Sequence, residues 1–463
     1  MQKLSFLCRK YLIWWVYFLF VFIPLYPKFP LISVPGTYVA VRLEDFIVAV
    51  VFLWWLISKV GSIGDSLKQP LYQAFILFWA VGALSVFSGI LVTHTVSWHL
   101  SILHFLRRVE VMILFFVALD AVQNLNQIKN LLKISLLTTL IIIFYGFGQQ
   151  WFSFPVISTM NKEFSKGLIL FLTPGARVNS TFAGHYDLAV YLSVFLIFAT
   201  AFLFYVRKLK EKLLILFSSL LGFILLSLTA ARVSFLSTIL GAAAVLWFVG
   251  QRKLIFLLIL LSLGAFVISP DLRHRTVATV TVNLLGGGGA KYSPPPQKPN
   301  PTKHFSIENA ASSSATFSGI PVDVAPGEPI NSTELGVFRS FEIRLNVEWP
   351  RAVRAFFKNP FLGSGYSSIT IATDNDYLRS LGETGMLGFL SFALIWWIIL
   401  RTIWKKRPDH KNFTFYLLTA SFVGVLVIFI NSTFIDALES SKISFILWLV
   451  LGASVALVKF KHD

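Results

Sequence analysis

Apolar residues in this chain gather into long runs, and polar residues are confined to brief segments between them. Roughly 20 apolar residues carry a helix across the hydrocarbon of a bilayer, and about twelve runs approach that length. They lie at approximately 11–29, 39–58, 71–92, 99–119, 134–151, 182–206, 213–229, 232–250, 254–269, 385–403, 413–430 and 442–459. The pattern predicts an all-α polytopic membrane protein, with nine spans within residues 1–269, one long outward-facing loop over 270–384, and three more spans within 385–463. The fourth run is the most polar, since it holds Arg107, Arg108 and Glu110. The first follows Lys3, Arg9 and Lys10 and is not followed by a small-residue cleavage site, so it reads as a retained helix.

The long loop changes character along its length. Gly286 to Gly289, Pro294 to Pro296 and the Ser-rich stretch Ala310 to Ser318 offer little that builds a core, which predicts disorder over about 284–334. From Phe338 the chain mixes Glu342, Arg344, Glu348, Arg351 and Arg354 with Ile343, Leu345, Val347 and Trp349 at helical spacing. An amphipathic helix over 338–358 follows, lying on the outer membrane face or capping the bundle. Asn359-Pro360 ends it, and Gly363-Ser364-Gly365-Tyr366 makes a turn.

Composition supports the membrane assignment: 56% apolar and 16% aromatic residues, only 13% charged, and a mean hydropathy of +0.73 exclude a soluble globule. The net charge of +18 raises the question of nucleic acid. The basic residues do not form one face, however. They recur in alternate segments, as in Arg207, Lys208, Lys210 and Lys212, or Arg401, Lys405, Lys406, Arg407 and Lys411. That is how cytoplasmic loops are marked, and it predicts that both termini are cytoplasmic. The single cysteine, Cys8, forms no internal disulfide, and no CxxC or Cys/His cluster offers a structural metal site. No cofactor is expected.

Charges at the outward ends of membrane helices are costly and so are functional candidates. In ARVNSTFAGHYDLAVYL, residues 176–192, Arg177 marks the outer boundary, with His185 and Asp187 one to two turns into the helix. The plainer reading is an interfacial anchor and a histidine satisfied by a backbone carbonyl. Arg232 lies in a very short outward turn, where snorkelling is the usual role. Arg344 falls within the amphipathic segment, where Arg351 and Arg354 read as solvated surface. Asp374, Asp376 and Glu383 precede the tenth span, and Asp374 is either a helix N-cap or a general base for a hydroxyl. In the fourth span Arg107 and Glu110 are placed to neutralise each other, which leaves Arg108 in need of another anion. Several outward arginines with carboxylates nearby suit a diphosphate, because guanidinium forks match phosphate oxygens and stay charged in a dry site.

The motifs RLEDFIVA (42–49), LRRVEVMILFF (106–116), ARVNSTFAGHYDLAVYL (176–192), LTAARVSFLSTILG (228–241), RLNVEWPRA (344–352), NPFLGSGY (359–366) and DNDYLRSLGETGMLG (374–388), in this order, resemble the O-antigen ligase and O-antigen polymerase superfamily. The resemblance covers most of the chain outside 284–334. It implies a GT-C-type helical fold and a metal-independent, inverting glycosyltransferase. Such an enzyme takes glycan from undecaprenyl diphosphate, at the outer face of the inner membrane, to lipid A core or a growing glycan. By the same resemblance Arg177 and Arg344 bind the diphosphate, with Arg232 a weaker partner, and Asp374 occupies the acceptor-activating position. Ligases typically have histidine there, so aspartate points to a polymerase or to a relative using another acceptor. His185, Asp187, Arg108, Asp376 and Glu383 complete the expected substrate-binding set. The competing readings are a carrier or flippase of lipid-linked oligosaccharide, for which the sequence offers neither internal repeats nor broken helices, and a membrane scaffold whose long loop binds a partner.

Overall fold

The computed structural model describes residues 2–34, 40–156, 171–172, 176–278, 344–369 and 373–459. The stretch expected to be disordered, about 284–334, and the start of the expected amphipathic helix at 338–343 lie outside the described residues. Helix α1 (Gln2–Leu25) leads into an antiparallel pair of short strands, β1 (Pro30–Ser33) and β2 (Ala40–Arg42). Then follow α2 (Leu43–Ser58), α3 (Ile63–Leu67), α4 (Pro70–Leu91), α5 (Trp98–Ala121) and α6 (Leu125–Trp151). Next come α7 (His185–Tyr205), α8 (Leu209–Leu228), α9 (Arg232–Val249), α10 (Leu254–Ile268) and α11 (Pro270–Ala278). A π-helical turn, Arg344–Glu348, continues into α12 (Trp349–Lys358), followed by α13 (Asp376–Lys406), α14 (Phe413–Asn431) and α15 (Ser441–Ala456).

Eight of these helices are long and apolar enough to cross a membrane: α1 from Lys3, and α4, α6, α7, α8, α9, α13 and α14. α10 and α15 are apolar but shorter, and α2 has 16 residues. α5 is long enough at 24 residues but carries Arg107, Arg108 and Glu110. Among the described residues, length and hydropathy thus support a multi-pass, all-α membrane protein with eight candidate spans, where the apolar runs predict about twelve. The outer surface has the character lipid contact requires: Phe256 and Val267 on α10, Leu213 and Phe217 on α8, and Trp397 on α13 are all exposed.

Close packing and shared polar groups hold the interior together, as expected where lipid removes the usual hydrophobic drive between helices. α15 lies so near α5 that a Cβ on Gly452 would run into the carbonyl of Phe115. Phe75, Phe115 and Trp448 fill the space beside it. Between α7, α9 and α14, Thr238 donates to Ser193 Oγ (2.7 Å), Ser234 donates to Asn431 Oδ1 (2.6 Å), and Asn431 Nδ2 donates to Ser237 Oγ (2.8 Å).

The tenth span departs from expectation. α13 begins at Asp376, nine residues before the apolar run at 385, and is broken at Gly385, whose φ of 66° and ψ of −171° suit glycine alone. The NPFLGSGY turn repairs the break. Ser364 and Gly365 amides donate to the Gly382 and Glu383 carbonyls (2.9 Å each), while the Met386 and Leu387 amides donate to Pro360 and Phe361 (2.8 and 3.1 Å). α12 caps the first half of α13 through Ala352 and Ala355, which pack with Ile369 and Leu378. Arg351, read from the sequence as solvated, is only 2% exposed, whereas Phe357 is 70% exposed.

Candidate functional site

The starts of α2, α5, α7, α9, α13 and α15 and the ends of α1, α4, α6, α8 and α14 share one end of the bundle, where side chains link them. The segment 176–184, which leads into α7, is anchored there on several sides. Ser180 bonds Gln149 and the Ile142 carbonyl, Thr181 Oγ1 donates to the Pro24 carbonyl (2.7 Å), and buried Lys442 donates to the Thr181 and Pro24 carbonyls (2.7 and 3.0 Å). This anchoring fixes Arg177, which is half-buried, hydrogen-bonds His185 and lies 5.9 Å over the ring of Tyr186.

Tyr186 joins this group to the late part of the chain, since both Arg344 and Asp374 act on it electrostatically alongside Arg177. Arg344 Nη2 and Nε both donate to Asp374 Oδ2, at 2.6 and 3.1 Å. Arg344 is buried, 6% exposed. Burial opposes its charge, but the Asp374 carboxylate beside it holds the guanidinium above the ordinary arginine range. Asp374 does not cap α13. Asn375 does, its side chain accepting from the Tyr377 and Leu378 amides, and this leaves Asp374, at φ +48°, to face Arg344. Arg177, His185, Tyr186, Arg344 and Asp374 therefore form one cluster of two guanidinium groups, an imidazole, a phenol and a carboxylate.

The other expected binding residues have partners within the protein. His185 and Asp187 sit in the first turn of α7, nearer the bundle end than expected, because Gly184 starts the helix late. Asp187 pairs with Lys28 at 3.5 Å. Arg107 binds Glu110 (3.1 Å), Glu44 (3.5 Å) and Asp45, as its position foretold only in part. The anion Arg108 requires is Glu439 of this chain, and Arg108 also donates to the Leu438 carbonyl (3.3 Å). Asp376 accepts from the Leu438 amide (2.8 Å), and Glu383 lies 3.5 Å from Arg379 Nε. Arg108, Asp376 and Glu383 do meet, with Tyr366, Ser380, Thr384 and Glu439, around a cavity of about 20 Å³. That is room for about one water and not for a sugar. Arg232 heads α9 at the same end and is half-buried. Arg351, expected to be solvated, is buried.

Sequence reasoning missed Tyr186, Lys28, Lys442, Arg379, Asp436 and Glu439. Lys28 and Lys442 carry a readable signal, since they break the cytoplasmic bias of the basic residues. Tyr186 is flanked by His185 and Asp187 but looks like any interfacial aromatic. A scan against protein-family models finds no match to this chain, and a search of curated proteins finds none either.

Proposed function

We propose that this chain is a membrane glycosyltransferase of the O-antigen ligase or polymerase kind, with a GT-C-type arrangement of about twelve crossings and cytoplasmic termini in a bacterial inner membrane. It transfers glycan from undecaprenyl diphosphate to a hydroxyl of lipid A core or of a growing glycan. The observation that carries this reading is the meeting of Arg177, Arg344 and Asp374 around Tyr186, contributed by segments far apart in sequence. In the reaction the acceptor oxygen forms a bond to the anomeric carbon as the bond from that carbon to the diphosphate oxygen breaks. Asp374 takes the hydroxyl proton. Arg177 and Arg344 receive the negative charge that develops on the departing diphosphate, the electrostatic role that most lowers such barriers.

Arg177→Ala or Arg344→Ala in a deletion strain is expected to lower surface glycan, and transfer by the purified proteins is expected to fall by about 100-fold or more. Arg344→Lys is not expected to restore it, because an ammonium makes no two-pronged contact. Unchanged glycan in both alanine variants would remove the proposal. The deletion phenotype separates the subclasses: a bare lipid acceptor for a ligase, single repeat units on it for a polymerase.

The break at Gly385 favours a second reading, transport of lipid-linked oligosaccharide, because carriers use broken helices to form their sites. Here the turn 359–366 occupies the exposed backbone groups, which favours the enzyme. Movement of labelled lipid-linked glycan across proteoliposomes without a new glycosidic bond would reverse that order.

A further inference from the structure

We propose that Asp436, in the turn between α14 and α15, is a positioning residue that presents Asp374 to Arg344 and to the acceptor hydroxyl. The inference rests on the reading of Asp374 as the base of the transfer reaction. One oxygen of Asp436 accepts from the Asn375 amide (3.1 Å), and the other accepts from the Thr373 amide (3.2 Å) and from Arg379 Nη1 (2.9 Å). The two amides flank Asp374, so one carboxylate grips the chain on both sides of it. Between these grips Asp374 adopts φ +48°, a left-handed backbone that a residue other than glycine keeps only when its surroundings impose it. That backbone aims the side chain at Arg344 Nη2, 2.6 Å away.

The surrounding contacts are directed to the same segment. The Asp376 amide donates to the Ser432 carbonyl (2.9 Å), Asn375 Nδ2 donates to the Thr433 carbonyl (3.2 Å), and the Leu438 amide donates to Asp376 (2.8 Å). Residues 432–438 thus form a platform under 373–376, with Asp436 at its centre. Arg379, 7% exposed, fixes Asp436 in turn while reaching the Ile369 carbonyl and Glu383. The chemistry requires a carboxylate. Three donors converge on two oxygens, and an amide in that place turns an NH2 group toward at least one of them.

The test uses the full-length protein in liposomes with undecaprenyl-diphosphate oligosaccharide as donor, and lipid A core or a repeat-unit glycan as acceptor in separate arms. Wild type, Asp374→Asn, Asp436→Asn and the double variant are compared for kcat and donor KM. Asp436→Asn is expected to lower kcat about 10- to 100-fold while donor KM stays within about twofold, since the arginines holding the diphosphate are untouched. The double variant is expected to be no slower than Asp374→Asn alone, because Asp436 acts through Asp374. Losses that multiply in the double variant, or a wild-type rate for Asp436→Asn, overturn the inference while leaving Asp374 as the base. A wild-type rate for Asp374→Asn overturns the base itself, and this inference with it. Asp436→Glu, which keeps both oxygens, guards against poor folding of Asp436→Asn. It is expected to retain more kcat than Asp436→Asn if that variant folds, and to show the same non-multiplying pattern with Asp374→Asn in either case. A multiplying pattern for Asp436→Glu overturns the inference equally.

Discussion

Lys28 is 6% exposed, 3.5 Å from Asp187, at the junction of α1 and α7. Burial pulls its proton affinity down more strongly than Asp187 draws it up. Asp187→Asn strands the amine without its anion, which is expected to cost about 3–5 kcal/mol, read as a lower Tm in detergent. The pH dependence has a definite sign. A lysine depressed in the folded protein leaves the unfolded chain holding more protons, so stability rises with pH from the depressed value toward the ordinary lysine value of about 10.4. Loss of Asp187 deepens the depression, so the variant's deficit is expected to shrink as pH rises toward the folded value of Lys28 in the wild type. A deficit that grows with pH would contradict this account. At this scale the sequence reveals which charges are out of place, such as Arg108, Lys28 and Lys442, but not their partners. Glu439 and Asp187 are separated from theirs by more than a hundred residues, and no local spacing encodes such a pairing.

Among the elements, α13 was readable as an apolar run from 385, and its break falls at the start of that run. Glycines at 382, 385 and 388 permit close backbone approach, but nothing local announces the helical turns before Gly385. Those turns are polar on their own and gain their cover from α12 and the 359–366 turn. A Cβ on Gly385 would meet the Phe361 carbonyl and the Gly363 amide, on a backbone that L residues avoid. Gly385→Ala is therefore expected to cost about 1–3 kcal/mol or more and to lower the yield of folded protein. Gly264, on lipid-facing α10, has nothing within 4 Å of its added Cβ, and Gly264→Ala serves as the control, with Tm unchanged or slightly raised. Equal effects at the two positions would show that the Gly385 backbone is not the cause. The burial of Arg351 on α12 has a similar origin. The periodicity of that helix is plain in the sequence, but which face meets the bundle depends on Ala352 and Ala355 finding α13.

For the whole molecule, membrane class and the side on which the charges collect follow from run length and from the placement of Lys and Arg. The gathering of Arg177, Arg344 and Asp374 does not, since it needs the bundle to close. Removing 286–332, which lie outside the described residues, is expected to leave transfer activity within about twofold in the same liposome assay, because Arg344 and its neighbours are held by α12, α13 and the 432–438 platform. Loss of activity with normal membrane levels would instead give the insert a direct role.

The ion pair of Arg344 with Asp374 bears on timing as well as on charge. With no donor present the carboxylate is occupied, so an early acceptor or a stray water finds no free base. Under the proposed reaction, an arriving diphosphate claims the guanidinium and releases the carboxylate, so donor precedes acceptor. In that cycle, departure of the spent diphosphate lets the pair close again, so the base is free only while a donor holds the guanidinium.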